Sequence, residues 1–248
     1  MMKKIIYILL LITTFVNAQN SLFEQGQKAY SEGKYQQAID AYMQILGEKK
    51  HSTALYYNLA NAHYKKGDVA QSIYYYEKAL QLSPTDSDVL NNLKFAQQMT
   101  IDNITPLPQT WFAKIAKRIT SWHSADNWGI QAIVCMVLFV VSFLAYYMLE
   151  KVWQKRLYFT LMIVFVTISV GSYWIGNIAQ REQQSNRYGI LFDKVIHVYA
   201  EPNTYSQEIF TLHEGTKVEI IDQLSDWFKI KIADGKTGWV KNLSVKVL

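Results

Sequence analysis

The stretch 53-TALYYNLANAHYKKGDVAQSIYYYEKALQLSPTD-86 decides the amino-terminal fold. Shifted by 34 residues, it lies over the stretch before it: Gly26-x2-Ala29-Tyr30-x2-Gly33-Lys34 meets Ala60-x2-His63-Tyr64-x2-Gly67-Asp68, and Ala38-x3-Tyr42-x2-Ile45-Leu46 meets Ser72-x3-Tyr76-x2-Ala79-Leu80. A fixed period of this length marks stacked supersecondary units. The spacing predicts helix, turn, helix in each copy, with Gly26, Ala38, Ala60, Ser72 and Ala79 small enough for helices to pass closely. Tyr30, Tyr42, Tyr64 and Tyr76 fill the remaining space, and Gly33 and Gly67 stop the first helix of each copy in a left-handed turn. Copy one runs over 19–52 and copy two over 53–86, and 87–102, with Leu90, Leu93 and Phe95-Ala96, reads as a capping helix of an array spanning 19–104.

Beyond the array, Pro106 and Pro108 break helical geometry and open a linker over 105–127. Within it Trp111, Phe112, Ile115, Ile119 and Trp122 recur at helical spacing with Lys114, Lys117 and Arg118 between them. Such a basic amphipathic helix either lies among lipid headgroups or packs on the array as one more cap, and in both cases keeps the array near a bilayer. Two uncharged runs follow, 128–149 and 157–178, each long enough to span as a transmembrane helix. The loop between them, 150–156, carries Lys151, Lys155 and Arg156, which places it in the cytoplasm. At the other end, Lys3-Lys4, an apolar run from Ile5 to Val16 and a small residue at Ala18 read as a secretory signal peptide over 1–18, or else as an uncleaved anchor. Leader and loop charge give one topology: a two-pass protein of the inner (cytoplasmic) membrane with both soluble regions in the periplasm.

A short linker, 179–187, leads to a region of different period, 188–248. Val195–Val198, Lys217–Ile221, Phe228–Ile232 and Gly238–Val240 read as short strands separated by Glu201-Pro202-Asn203, His213-Glu-Gly-Thr216 and Asp234-Gly235. A segment this short closes most economically as a small barrel. Trp239 is expected in its core. Trp227 is expected either there or on an exposed ligand face shared with Tyr199 and Tyr205.

These patterns resemble known families. The repeat is similar to the tetratricopeptide repeat, whose arrays bind peptides or proteins in a groove lined by their first helices. Carried over by position, the groove would comprise Phe23, Gln27, Tyr30, Tyr57, Asn58, Asn61, Tyr64, Asn91 and Phe95, unless the aromatics among them pack between helices instead. Phe23, Asp88 and Asn92 stand where carboxylate-clamping arrays carry cations, with only Asn58 keeping that pattern, so the implied chemistry is aromatic and amide. The carboxy-terminal segment resembles the bacterial SH3-like domain through Leu212-x2-Gly215-x2-Val218, Asp226-Trp227-x-Lys229-Ile230 and Asp234-Gly-Lys-x-Gly-Trp239-Val240. Domains of that kind are often cell-wall or peptide binders.

In order, the chain thus reads as a multidomain membrane protein: an all-α tetratricopeptide array, a two-helix transmembrane hairpin and an all-β SH3-like small barrel. That order resembles the BatE-type members of the Bacteroides aerotolerance (Bat) family, with Asn91-Asn92-Leu93-Lys94-Phe95-Ala96 and Leu107-Pro108 as further points of likeness. The resemblance implies membrane partners bearing von Willebrand A-type domains, a MoxR-like ATPase, and a complex tied to aerotolerance or envelope stress. The residues themselves imply a membrane-tethered protein-interaction scaffold or, alternatively, a sensor that binds peptidoglycan through the SH3-like domain.

Several classes are excluded. The net charge is +5, yet by segment it is −1 over 19–105 and zero over 179–248, so neither soluble region has the basic excess that nucleic acid requires. The single Cys135 leaves no disulfide framework or thiol pair. Phosphate-binding glycine loops and hydrolase motifs are absent, and His51, His63, His123, His197 and His213 share no metal-ligand spacing. No enzymatic activity, cofactor or metal is expected.

Overall fold

The computed structural model describes residues 22–108, 110–185 and 187–248, so the signal peptide expected over 1–18 and the start of the first repeat lie outside the described residues. The chain divides into two compact units, one holding the repeats, 86–107 and the strands from Tyr188 onward, the other holding 83–85 and 108–187.

In the first unit, α1 (22–31), α2 (Tyr35–Gly47), α3 (Thr53–Lys66), α4 (Val69–Leu82) and α5 (Ser87–Gln97) follow the repeat. Local chemistry sets their ends. Ser52 caps α3 by accepting from the Leu55 amide, and Asp86 caps α5 by accepting from the amides of Asp88 and Val89. Gly33 and Gly67 take φ of 75° and 89°, the left-handed geometry that ends α1 and α3. Ala38, Ala60, Ser72 and Ala79 are wholly buried, and Tyr42 and Tyr76 fill the core between them. Only one face of α5 meets the array, through Val89, Leu93 and Ala96. Leu90 and Phe95, part of the apolar set read for that helix, are therefore exposed, at 45% and 49%.

The carboxy-terminal part has, among the described residues, seven strands: β1 (Arg187–Leu191), β2 (Ile196–Tyr199), β3 (Glu208–Leu212), β4 (Lys217–Leu224), β5 (Trp227–Lys231), β6 (Thr237–Lys241) and β7 (Val245–Val247). They form one sheet in the order β3-β2-β6-β5-β4-β1-β7, with β1–β7, β2–β3, β2–β6, β4–β5 and β5–β6 antiparallel. Leu212 of β3 and Val245 of β7, at opposite ends of the strand order, bury into the same core as Val198, Val218, Ile230 and Val240, so the sheet curls around its own interior. Trp239 is not in that core. Gly238 and Val240 point inward, leaving Trp239 half-buried on the outer face with the Lys229 ammonium 5.8 Å above its ring.

This sheet is docked on the array. Ile190 is fully buried within the helical core, and Phe192 and Leu248 pack against the same cluster. The Tyr74 hydroxyl donates to the carbonyl of Val247 at 3.3 Å, Lys246 lies 4.2 Å above the Tyr74 ring, and Lys217 pairs with Glu77 at 2.7 Å. Gly215, at φ 85°, lies so close to the helices that an added Cβ would sit 2.9 Å from Thr100 and 3.1 Å from Ile73. The segment after α5 joins the docking. Asp102 accepts from the His213 amide at 2.7 Å and from Thr216 Oγ1 at 2.6 Å, and its other oxygen lies 2.7 Å from His213 Nδ1. Ile104 packs on the sheet core, and the Leu107 amide donates to the carbonyl of Ala233. Array and sheet, read from sequence as successive separate modules, form one folded unit.

The second unit contains α6 (Trp111–Thr120), α7 (Ala125–Met148) and α8 (Val152–Ser185). α7 and α8 pack along each other, with the Ser169 hydroxyl donating to the carbonyl of Ala132. Both are long and apolar enough to cross a membrane. Their outer surfaces leave Ile133, Val137, Val141, Ile163 and Val170 exposed. The break between them is 149–151, narrower than the loop read over 150–156, because Trp153, Lys155 and Arg156 extend α8 by a turn.

Candidate interaction surfaces

The first helices of the repeats bring together most of the array residues singled out from sequence. Tyr57 stacks at a tilt on Tyr76, 6.2 Å between centroids, and Asn61 Oδ1 accepts from both the Tyr76 hydroxyl and the Asn92 amide. Asn92 also donates to the Tyr57 hydroxyl at 3.0 Å, tying α5 to α3. Burial raises the Tyr76 phenol well above its ordinary range, and the neighbouring Tyr57, Tyr30 and Tyr64 push it further, so it remains a donor. Burial likewise raises Tyr30, whose ring meets Tyr35 edge-on.

Tyr57 and Asn61 therefore spend polar groups inside the array, while Gln27, Asn91 and Phe95 are exposed and Asn58 and Tyr64 half-buried. Phe23 leans on Tyr42 and lines a separate recess of about 240 Å³ with Ile45, Leu55, Lys50 and His51. In the sequence Asn92 stands out as a departure from the clamp pattern and as part of the Asn91–Ala96 likeness, not as a member of the groove. It faces α3 because it lies one helical turn from Val89 and Ala96, residues that α5 buries.

On the sheet, alternation sends Trp227 and Lys229 of β5, Trp239 of β6 and Tyr199 of β2 to the same outer face. Tyr199 and Trp227 meet edge to face, 5.6 Å between centroids. Beside them opens a groove of about 550 Å³ lined by Pro202, Asn203, Tyr205, Asp226, Trp227, Lys241 and Leu243. Tyr205 is 99% exposed and Leu243 92%. The arrangement offers flat rings for stacking, with a carboxylate and an ammonium at the rim. Trp239 and Leu243 were missed as members of this face. The phase of Gly238 and Val240 was the signal for the former, whereas Leu243 follows β6 in a 3-10 turn that has no period to read.

The docking residues were also missed. Burial pushes the Asp102 carboxyl up, but the bonds from Thr216 and His213 outweigh it and hold it below the usual carboxylate value. Burial, with Lys78 nearby, lowers the Lys246 ammonium. The run Ile190-Leu191-Phe192 was the sequence signal, since consecutive apolar residues mark a strand covered on both faces.

Residues 53–86 match the tetratricopeptide repeat, and residues 194–246 match the bacterial SH3 domain. The Photosystem I assembly protein Ycf3 of Cyanophora paradoxa is 32% identical over 74 residues, which is 29% of this chain and 43% of that protein. The chain thus spans less than half the length of that curated relative. Fold class agrees with the expectation from sequence: a tetratricopeptide-like helical array, two apolar helices and an antiparallel SH3-like sheet. Both matched modules are interaction modules, the first a binder of proteins and the second compatible with cell-wall binding.

Proposed function

We propose that this protein is a membrane-anchored periplasmic scaffold whose helical array holds a protein partner, and that it is a component of a Bat-type aerotolerance or envelope-stress complex. The observation that carries the reading is the shared core, with Ile190 buried among array residues on the far side of two apolar helices in the sequence. Parts that share a core occupy one compartment, so α7 and α8 cross the bilayer and return. Lys151, Lys155 and Arg156 at the break favour a cytoplasmic turn, which leaves array and sheet in the periplasm. The order of modules supports Bat-type membership, with von Willebrand A-type membrane proteins and a MoxR-like ATPase as partner classes. A relative described as an assembly protein accords with a scaffold. The proposed role is non-catalytic.

The test is photo-crosslinking in membranes from residues of the full chain replaced at Tyr64 and Asn91. The scaffold reading expects discrete protein adducts from both, and fails if neither position yields more adduct than exposed Met43 on α2. The groove at Trp227 and Tyr205 favours a second reading, a peptidoglycan sensor. There the full chain would sediment with purified sacculi, and Trp227→Ala would abolish it.

A further inference from the structure

α6 is a helix with no buried residue in a unit whose other helices pack closely. Its wheel is cleanly divided. Trp111, Phe112, Ile115 and Ile119 share one arc and are each at least 36% exposed, while Lys114 and Lys117 lie opposite and Arg118 at the border. No acidic residue occurs in α6, and none of its three cations has an ion-pair partner among the described residues. The helix does not swing freely. It packs on α8, and the indole of Trp128, buried at the start of α7, donates to the carbonyl of Thr120 at 3.4 Å while its ring meets His123 edge-on.

We infer that α6 lies in the surface of the bilayer, its apolar arc at the acyl boundary and its cations on the phosphates of anionic lipid. Two features select lipid as the occupant. The cations complement an anionic surface, and the helix is fixed against the same pair of helices whose apolar exteriors require lipid. The inference rests on the spanning reading of α7 and α8, so the test must separate the two.

The full chain carrying Cys135→Ser is placed in nanodiscs of phosphatidylcholine alone or mixed with phosphatidylglycerol. Spin labels sit on single cysteines replacing Phe112, Ile115, Lys114, Lys117 or, in mid-span, Val137. Collision with oxygen reports lipid, and collision with a water-soluble nickel chelate reports water. In the anionic discs, labels at 112 and 115 should favour oxygen and those at 114 and 117 the chelate. The contrast should shrink in neutral discs, and the variant Lys114→Gln/Lys117→Gln/Arg118→Gln should show no difference between the two lipids. If 137 is lipid-exposed while 112 and 115 meet the chelate as freely as 114, or are immobilised by protein contact, the inference is overturned and the span stands. If 137 meets the chelate, both fall.

Discussion

Gly215 carries two constraints at once, a left-handed backbone and a bare Cα pressed against Thr100, Ile73 and Val69. Gly215→Ala should therefore destabilise the docked unit by about 1–3 kcal/mol in urea unfolding, with faster amide exchange in α4 and β4. An unchanged midpoint would mean the loop does not touch the helices. His63 makes a second, pH-dependent contribution. Burial, with Lys66 and Lys246 nearby, lowers its pKa against the opposing contact with Asp68, 3.0 Å away, and the ring stacks on Tyr75. The unfolded chain, titrating near ~6.5, then binds a proton before the folded one does. Stability from the neutral ring is complete above that value and is lost as pH falls through it toward the lower folded pKa. Urea midpoints measured from pH 7.5 down to 5.5 should decline, and His63→Gln should flatten part of the decline. An identical slope in the variant would show that His63 contributes nothing to the decline.

At the scale of elements, Trp239 and Asn92 make opposite tests. Because Trp239 lies outside the sheet, Trp239→Ala should leave the unit folded by circular dichroism and cost under about 2 kcal/mol. Ile230→Ala, at a fully buried position, should cost about 2–5 kcal/mol. Reversal of that order would turn β5 and β6 over. Asn92→Ala removes donors to Tyr57 and Asn61 and should cost about 1–2 kcal/mol, loosening α5 first in hydrogen exchange. The helices of the repeat were legible because local rules agree there: small residues, tyrosines and turn glycines all recur at one offset. Strands were harder. β7 has three residues, too few to display a period, β3 has only Leu212 fully inward, and β1 ends in the consecutive apolar pair Ile190-Leu191 because the first buries against the array and the second in the sheet's own core. In the site, the residues of α1 and α3 could be placed by the repeat. Their hydrogen-bond partner on α5 could not, since it depends on how the capping helix rotates against its neighbour.

Across the whole molecule, the docking of sheet on array joins residues on either side of 108–187, a separation that no pattern of local spacing can encode. What the sequence offered instead was indirect: an array of two repeats and a cap buries too little surface alone, and β1 has one apolar face too many for its own barrel. Each supplies what the other lacks, which makes array and sheet one folded unit. The most direct test uses a zero-length carbodiimide coupling on the full chain in its native membranes, read by mass spectrometry. Glu77 and Lys217 form an ion pair between array and sheet at 2.7 Å, and Glu219 and Lys231 form one within the sheet at 3.0 Å. Both pairs should yield linked peptides, and Ile190→Asp should abolish the first while sparing the second. Linkage of Glu219 to Lys231 without any of Glu77 to Lys217 in the unmutated protein would contradict the single folded unit and, with it, the shared compartment.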